Sequence, residues 1–237
     1  MRRLRFLREG FFEPRALAVL LLVALCAWAF FQLADEVAEG ETRDFDTWLL
    51  LALRNPADSS DPIGPGWVEE LMRDVTGLGG VGILAFLTLA VAGFLWLQGK
   101  RGSIWLMLVA VGGGQAMSTL AKAGFDRPRP DLVPHGMQVY TASFPSGHSM
   151  MAAITYLTLA TLVARVQPTR ALKAYVMTLA VLVTVAVGAS RVYLGVHWPT
   201  DVLAGWAAGA AWALGCWLVA HWLARRGAVE PEAPAAE

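Results

Sequence analysis

Charge is scarce in this chain. Asp, Glu, Lys and Arg make up 16% of its 237 residues, 19 acidic against 19 basic, for a formal net charge of zero. That balance argues neither for nor against a nucleic-acid partner, and none is expected. Cysteine is scarcer still. Cys26 and Cys216 both lie inside apolar runs, where they read as small hydrophobes rather than as a disulfide or a metal pair. No Cys/His cluster has zinc spacing, so the sequence points to no metal and no cofactor. There is no internal repeat, which excludes solenoid and array architectures.

What the chain has instead is hydrocarbon. Apolar residues account for 56%, with ten Trp and ten Phe, and the excess over an ordinary soluble balance is gathered in blocks. Crossing a bilayer takes about 20 mostly apolar residues. Six runs meet or approach that length: 16–34, 79–98, 103–121, 149–165, 172–189 and 202–223, with the fourth the shortest. The expected fold is therefore all-α, a polytopic bundle of six transmembrane helices. One domain spans 16–226, after a basic N-terminus at 1–15 and before a tail expected to be disordered over 227–237. The run after Arg2, Arg3, Arg5 and Arg8 exceeds a signal-peptide core and lacks a clear cleavage site, so it reads as a retained anchor.

Lys and Arg placement gives the orientation. With the N-terminus in the cytoplasm, the inside segments hold Arg2 to Arg15, Lys100, Arg101, Arg165, Arg170, Lys173, Arg225 and Arg226. Both termini are then cytoplasmic in a multi-pass inner (plasma) membrane protein. The long outside segment, 35–78, is rich in Asp and Glu. Within it Trp67, Leu71 and Val75 recur every fourth residue, which predicts a short extramembrane helix between the first two spans or a loop packed on the bundle.

Ionisable groups near spans are functional suspects, because an unpaired charge in hydrocarbon is costly. Three polar stretches carry them, and all three fall on the outside face. The first is Lys122-x6-Arg129-Pro130, the second Pro145-Ser146-Gly147-His148, and the third Ser190-Arg191-x5-His197-x3-Asp201. Lys122 supplies a compact cation, and Arg129 and Arg191 supply planar forks suited to phosphate oxygens. Alone, Lys122 would read as an interfacial anchor. Ser146 and Gly147 precede a span, where a hydroxyl and unpaired main-chain N–H groups can meet an anion. Pro199 reads as opening the sixth span, with His197 just before it and Asp201 in its first turn. A carboxylate so placed can fix one imidazole nitrogen and leave the other to attack. His135, in a loop, and His221, at the far end of the last span, have no such surroundings. Asp126, Arg127 and Asp131 receive no role.

Together these stretches resemble the signatures of the type 2 phosphatidic acid phosphatase superfamily, matched in full and in that order across about 79–223. The resemblance implies a bacterial membrane lipid phosphatase that works without a catalytic metal. It implies that His197 is the nucleophile that becomes a phosphohistidine, oriented by Asp201, and that His148 is the general acid. Lys122, Arg129, Ser146, Gly147 and Arg191 would bind the phosphoryl oxygens. A lipid phosphate or pyrophosphate would be the substrate: a polyprenyl pyrophosphate, phosphatidylglycerophosphate, phosphatidate or diacylglycerol pyrophosphate. A lipid phosphotransferase would use the same site, and a non-catalytic phosphate-binding membrane protein or transporter would use only its cations. A related haloperoxidase holds vanadate in the same constellation, but six spans argue against that soluble class. Oligomeric state leaves no mark in the sequence.

Overall fold

The structure, a computed structural model, describes residues 13–133, 141–165, 167, 169–227 and 229. Its elements run α1 (Pro14–Glu39), α2 (Arg43–Ala52), β1 (Arg54–Asn55), β2 (Asp58–Pro62), α3 (Gly66–Gly77), α4 (Val81–Leu97), α5 (Arg101–Ala123), α6 (Gly147–Arg165), α7 (Arg170–Tyr193) and α8 (Pro199–Arg225). Five helices, α1, α5, α6, α7 and α8, are long and apolar enough to cross a membrane. The sixth span is α4, which passes the same test only together with α3, bent from it by 53°. The all-α six-span architecture expected from the sequence is the one observed.

The shortest span is α4 with 17 residues, not α6, which has 19. Its run is cut at the start by successive turns, in which the Gly79 and Gly80 N–H groups donate to Thr76 and Gly77 carbonyls. At about 1.5 Å per residue α4 rises about 25 Å, a little less than the hydrocarbon core. The segment between the first two spans is also richer than a single short helix. It holds α2 and α3, with the antiparallel β1–β2 pair between them. The N-terminal basic residues to position 12, His135 and most of the tail after Gly227 lie outside the described residues.

Helix α6 is central. It packs against α4, α5, α7 and α8, and 61% of its apolar window is buried, against 6% for the peripheral α1. Contact with α8 depends on missing side chains. A Cβ at Gly205 would stand 2.8 Å from the Ser146 carbonyl oxygen, and one at Gly209 would stand 2.6 Å from that of Met150. Small residues four apart let two spans approach this closely. The glycines at 112–114 divide. Gly113 and Gly114 receive the Trp212 ring and the Ile154 side chain, while Gly112 faces open space. Indole donors add fixed points between helices, from Trp206 Nε1 to the Thr184 carbonyl (3.1 Å) and from Trp212 Nε1 to that of Ala110 (2.8 Å). Both cysteines are free thiols. At the end of the bundle away from the polar stretches, Glu13 ties α1 to Arg225 and stands 3.3 Å from His221 Nε2.

Candidate active site

Two helix starts build the site. Pro199 is the first helical residue of α8, and Trp198 before it is extended. The Asp201 carboxylate reaches back to accept from the Trp198 N–H at 2.9 Å, closing the first turn as a third-position acid does in a capping box. This bond turns Oδ2 of Asp201 toward His197 Nδ1, 3.3 Å away. The Ser143 hydroxyl donates to the same Oδ2 and lies 3.4 Å from His197 Nδ1. On α6, Gly147 opens the helix just after Ser146, whose N–H donates to the Asp201 main-chain carbonyl at 2.9 Å. The two helix starts are thus bonded to each other. Ser146 is fully buried, and its hydroxyl oxygen accepts from the Ser149 hydroxyl at 2.8 Å.

The far side of Asp201 was not anticipated. Arg127 Nη1 lies 2.5 Å from Asp201 Oδ1, and Arg127 Nη2 lies 2.6 Å from Asp46 Oδ2 on α2. Asp46 also accepts from the Thr200 N–H (2.9 Å) and the Thr200 hydroxyl (2.7 Å). A buried line therefore runs Asp46–Arg127–Asp201–His197. Leaving either carboxylate unpaired here would be strongly unfavourable, which is reason enough for the guanidinium between them. In the sequence, the one hint was a second arginine two residues before Arg129, across Pro128. Nothing pointed to Ser143 or Asp46. Asp126 and Asp131 are exposed.

On its other nitrogen His197 meets a cation. Arg129 Nη1 is 3.1 Å from His197 Nε2 and 2.7 Å from the Val196 carbonyl oxygen. Two bonds to Thr141, at its carbonyl (2.9 Å) and hydroxyl (3.1 Å), hold the rest of that fork. With the imidazole proton on Nδ1 facing Asp201, the lone pair on Nε2 points to the cationic side. Complete burial pushes the His197 pKa down to about 3, against the opposing pull of Asp201 and with the help of Arg129 and Arg191. The ring is neutral at ordinary pH.

Lys122, at the end of α5, donates to the Ala142 carbonyl at 3.0 Å, and buried Arg191 donates to the Thr76 hydroxyl at 2.9 Å. His148 sits in the first turn of α6, within the fields of Arg191, Lys122 and Arg129. A cavity of about 490 Å³ opens at Lys122, Gly147 and His148 and extends along α5 past Ser118, Thr119 and Gln115. A Cβ at Gly147 would stand 3.0 Å from Lys122 Cε, so a side chain there would displace the end of the lysine by a few tenths of an ångström. All eight residues picked from the sequence thus gather at one end of the bundle. Among the described residues, no group of three or more His, Cys, Asp or Glu side chains is placed to hold a metal ion.

The family model of the PAP2 superfamily matches residues 103–225, just over half of the chain and all three polar stretches. This chain belongs to the PAP2 superfamily. Phosphatidylglycerophosphatase B of Bacillus subtilis (strain 168) is 36% identical over 144 residues, 60% of this PAP2 chain and 70% of that relative. An undecaprenyl-diphosphatase of Sulfolobus acidocaldarius is 37% identical over 67 residues, 28% of each chain. The crystal structure of a transmembrane PAP2-type phosphatidylglycerolphosphate phosphatase from Bacillus subtilis superposes with a TM-score of 0.70 at 29% identity, covering 82% of this chain and 93% of that one. Aquifex aeolicus LpxE shares the fold, with a TM-score of 0.52 at 22% identity over 71% of this chain and 90% of its own. The PAP2 chain falls in the bacterial lipid-phosphatase branch and is a lipid phosphate hydrolase.

Proposed function

We propose that the protein removes the terminal phosphate of a membrane lipid through a phosphohistidine on His197, without a metal, on the extracytoplasmic face. The observation that carries this reading is the position of His197. Asp201 orients one ring nitrogen at 3.3 Å, and the Arg129 guanidinium stands 3.1 Å from the other. A neutral, oriented imidazole beside fixed positive charge suits attack on phosphorus, where the protein's contribution is mainly positioning and preorganised charge.

In the first step Nε2 of His197 forms a bond to phosphorus as the bond from phosphorus to the lipid oxygen breaks. His148 gives its proton to that oxygen, and the lipid alcohol leaves; from a pyrophosphate, a lipid monophosphate leaves instead. In the second step His148 takes a proton from water, whose oxygen attacks phosphorus. The bond from Nε2 to phosphorus breaks, and inorganic phosphate is released. Lys122, Arg129 and Arg191 hold the non-bridging oxygens, together with the Gly147 N–H. Ser146 accepts from Ser149 and so keeps its own hydroxyl hydrogen for the same purpose.

Among lipid phosphates, the similarity to a phosphatidylglycerophosphatase supports phosphatidylglycerophosphate as the first substrate to try. Both termini then face the cytoplasm, consistent with Arg and Lys at the far ends of the spans. The test is free phosphate released by purified protein in detergent with EDTA present, from a panel of lipid monophosphates and pyrophosphates, beside His197→Ala. Release that survives chelation and is lost in the variant is expected. Release lost on chelation would overturn the metal-free mechanism. No free phosphate, with the phosphoryl group appearing instead on an added acceptor lipid, would mark a transferase.

A further inference from the structure

The cavity that opens at Lys122 and His148 has one polar wall. Gln115, Ser118, Thr119 and Lys122 occupy positions i, i+3, i+4 and i+7 of α5, a single stripe that lines it. Gln115 is exposed on a spanning helix, about 10 Å below Lys122 at 1.5 Å per residue. An amide facing hydrocarbon at that depth is costly without a partner. Its neighbour satisfies it poorly. Gln115 Nε2 stands 3.5 Å from Thr119 Oγ1, the outer limit of a hydrogen bond, while the Thr119 hydroxyl donates to the Gln115 main-chain carbonyl at 3.0 Å. The amide thus retains donor capacity directed along the cavity.

We propose that Gln115 donates a hydrogen bond to an ester carbonyl of the substrate, selecting a diacylglycerol phosphate over a lipid whose phosphate is attached directly to hydrocarbon. This rests on the lipid-phosphatase reading of the site. With phosphorus held at Lys122 and His148, the ester carbonyls of a diacylglycerol phosphate lie a few bonds away, one to two helical turns, or about 5–10 Å, along α5. A polyprenyl phosphate or pyrophosphate places neither donor nor acceptor at that depth and leaves the amide unmatched.

Two lipids that differ only in these carbonyls supply the test: dioleoyl phosphatidate and its diether analogue, in the same detergent micelles, with a polyprenyl monophosphate as a third probe. The wild-type protein is expected to favour the diester over the diether in kcat/KM by about five- to tenfold, the worth of one hydrogen bond to a neutral acceptor. In Gln115→Leu the ratio is expected to fall to about one, and preference over the polyprenyl probe to shrink by the same factor. Each ratio is taken within one protein sample, so partial misfolding cancels. Equal wild-type rates on diester and diether would overturn the proposal, as would a ratio unchanged in Gln115→Leu. A change of oligomeric state with the ratio intact would assign Gln115 to helix pairing instead. Failure of the phosphatase reading looks different, since the wild type would then release phosphate from none of the three lipids.

Discussion

The two nitrogens of His197 face opposite kinds of surroundings. On the Nδ1 side every charge has an opposite charge: Asp201 pairs with Arg127, and Arg127 with Asp46. On the Nε2 side Lys122 and Arg129 are held by neutral atoms. The bonds of Lys122 and Arg129 end on the Ala142, Val196 and Thr141 oxygens and the ring nitrogen, none of them an anion. The first side is complete as it stands. The second is fixed in position with its positive charge still available, as a site for an anionic group requires. Stability and catalysis should therefore respond separately to damage on the two sides.

The largest expected effect breaks the link between the sides. Asp201→Asn should lower kcat for phosphate release by about 10³- to 10⁴-fold, since an amide favours the wrong ring tautomer. An unchanged rate would remove Asp201 from its orienting role. Next, Arg127→Met leaves two buried carboxylates facing each other and should cost about 3–5 kcal/mol of stability, read by unfolding in detergent. On the other side, Arg129→Ala should lower kcat/KM about 10²- to 10³-fold. It should leave the unfolding midpoint unchanged or raised, because like charges are relieved. Loss of both stability and activity in Arg129→Ala would dissolve the contrast.

The smallest effect concerns pH. The His197 pKa is lowered from the ordinary 6.5 to about 3, so the folded ring stays neutral where the unfolded ring takes a proton. Its contribution is full above the unfolded value and is lost progressively as pH falls toward the folded one. Between about pH 7 and about pH 5.5 the wild type should lose about 1 kcal/mol more stability than His197→Gln. Equal losses would show that the ring titrates normally.

Much of this was readable from residues alone, but unevenly. The spans follow from runs of Leu, Val and Ala, because hydrocarbon imposes a length and a composition. The proposed catalytic groups follow from charges that a membrane protein would not keep without use. The paired side was not readable. Arg127 and Arg129 are the same residue type, two apart, around one proline, and only the folded chain shows that one meets Asp201 and the other His197. Asp46 lies in a segment crowded with acids, where nothing local separates it from Asp44. The break before α4 falls where the sequence already separates the short helix around Trp67, Leu71 and Val75 from the apolar run that opens at 79.

The contact between α6 and α8 has a consequence for scale. Helix α6 carries the proposed acid at its tip, and α8 begins just after the proposed nucleophile. Their separation is set where Gly205 lies beneath the Ser146 carbonyl, with no room for a single methyl group. The working gap of the enzyme is thus gauged by an absence. An alanine at 205 would act as a shim, prising His148 and His197 apart while leaving every chemical group in place.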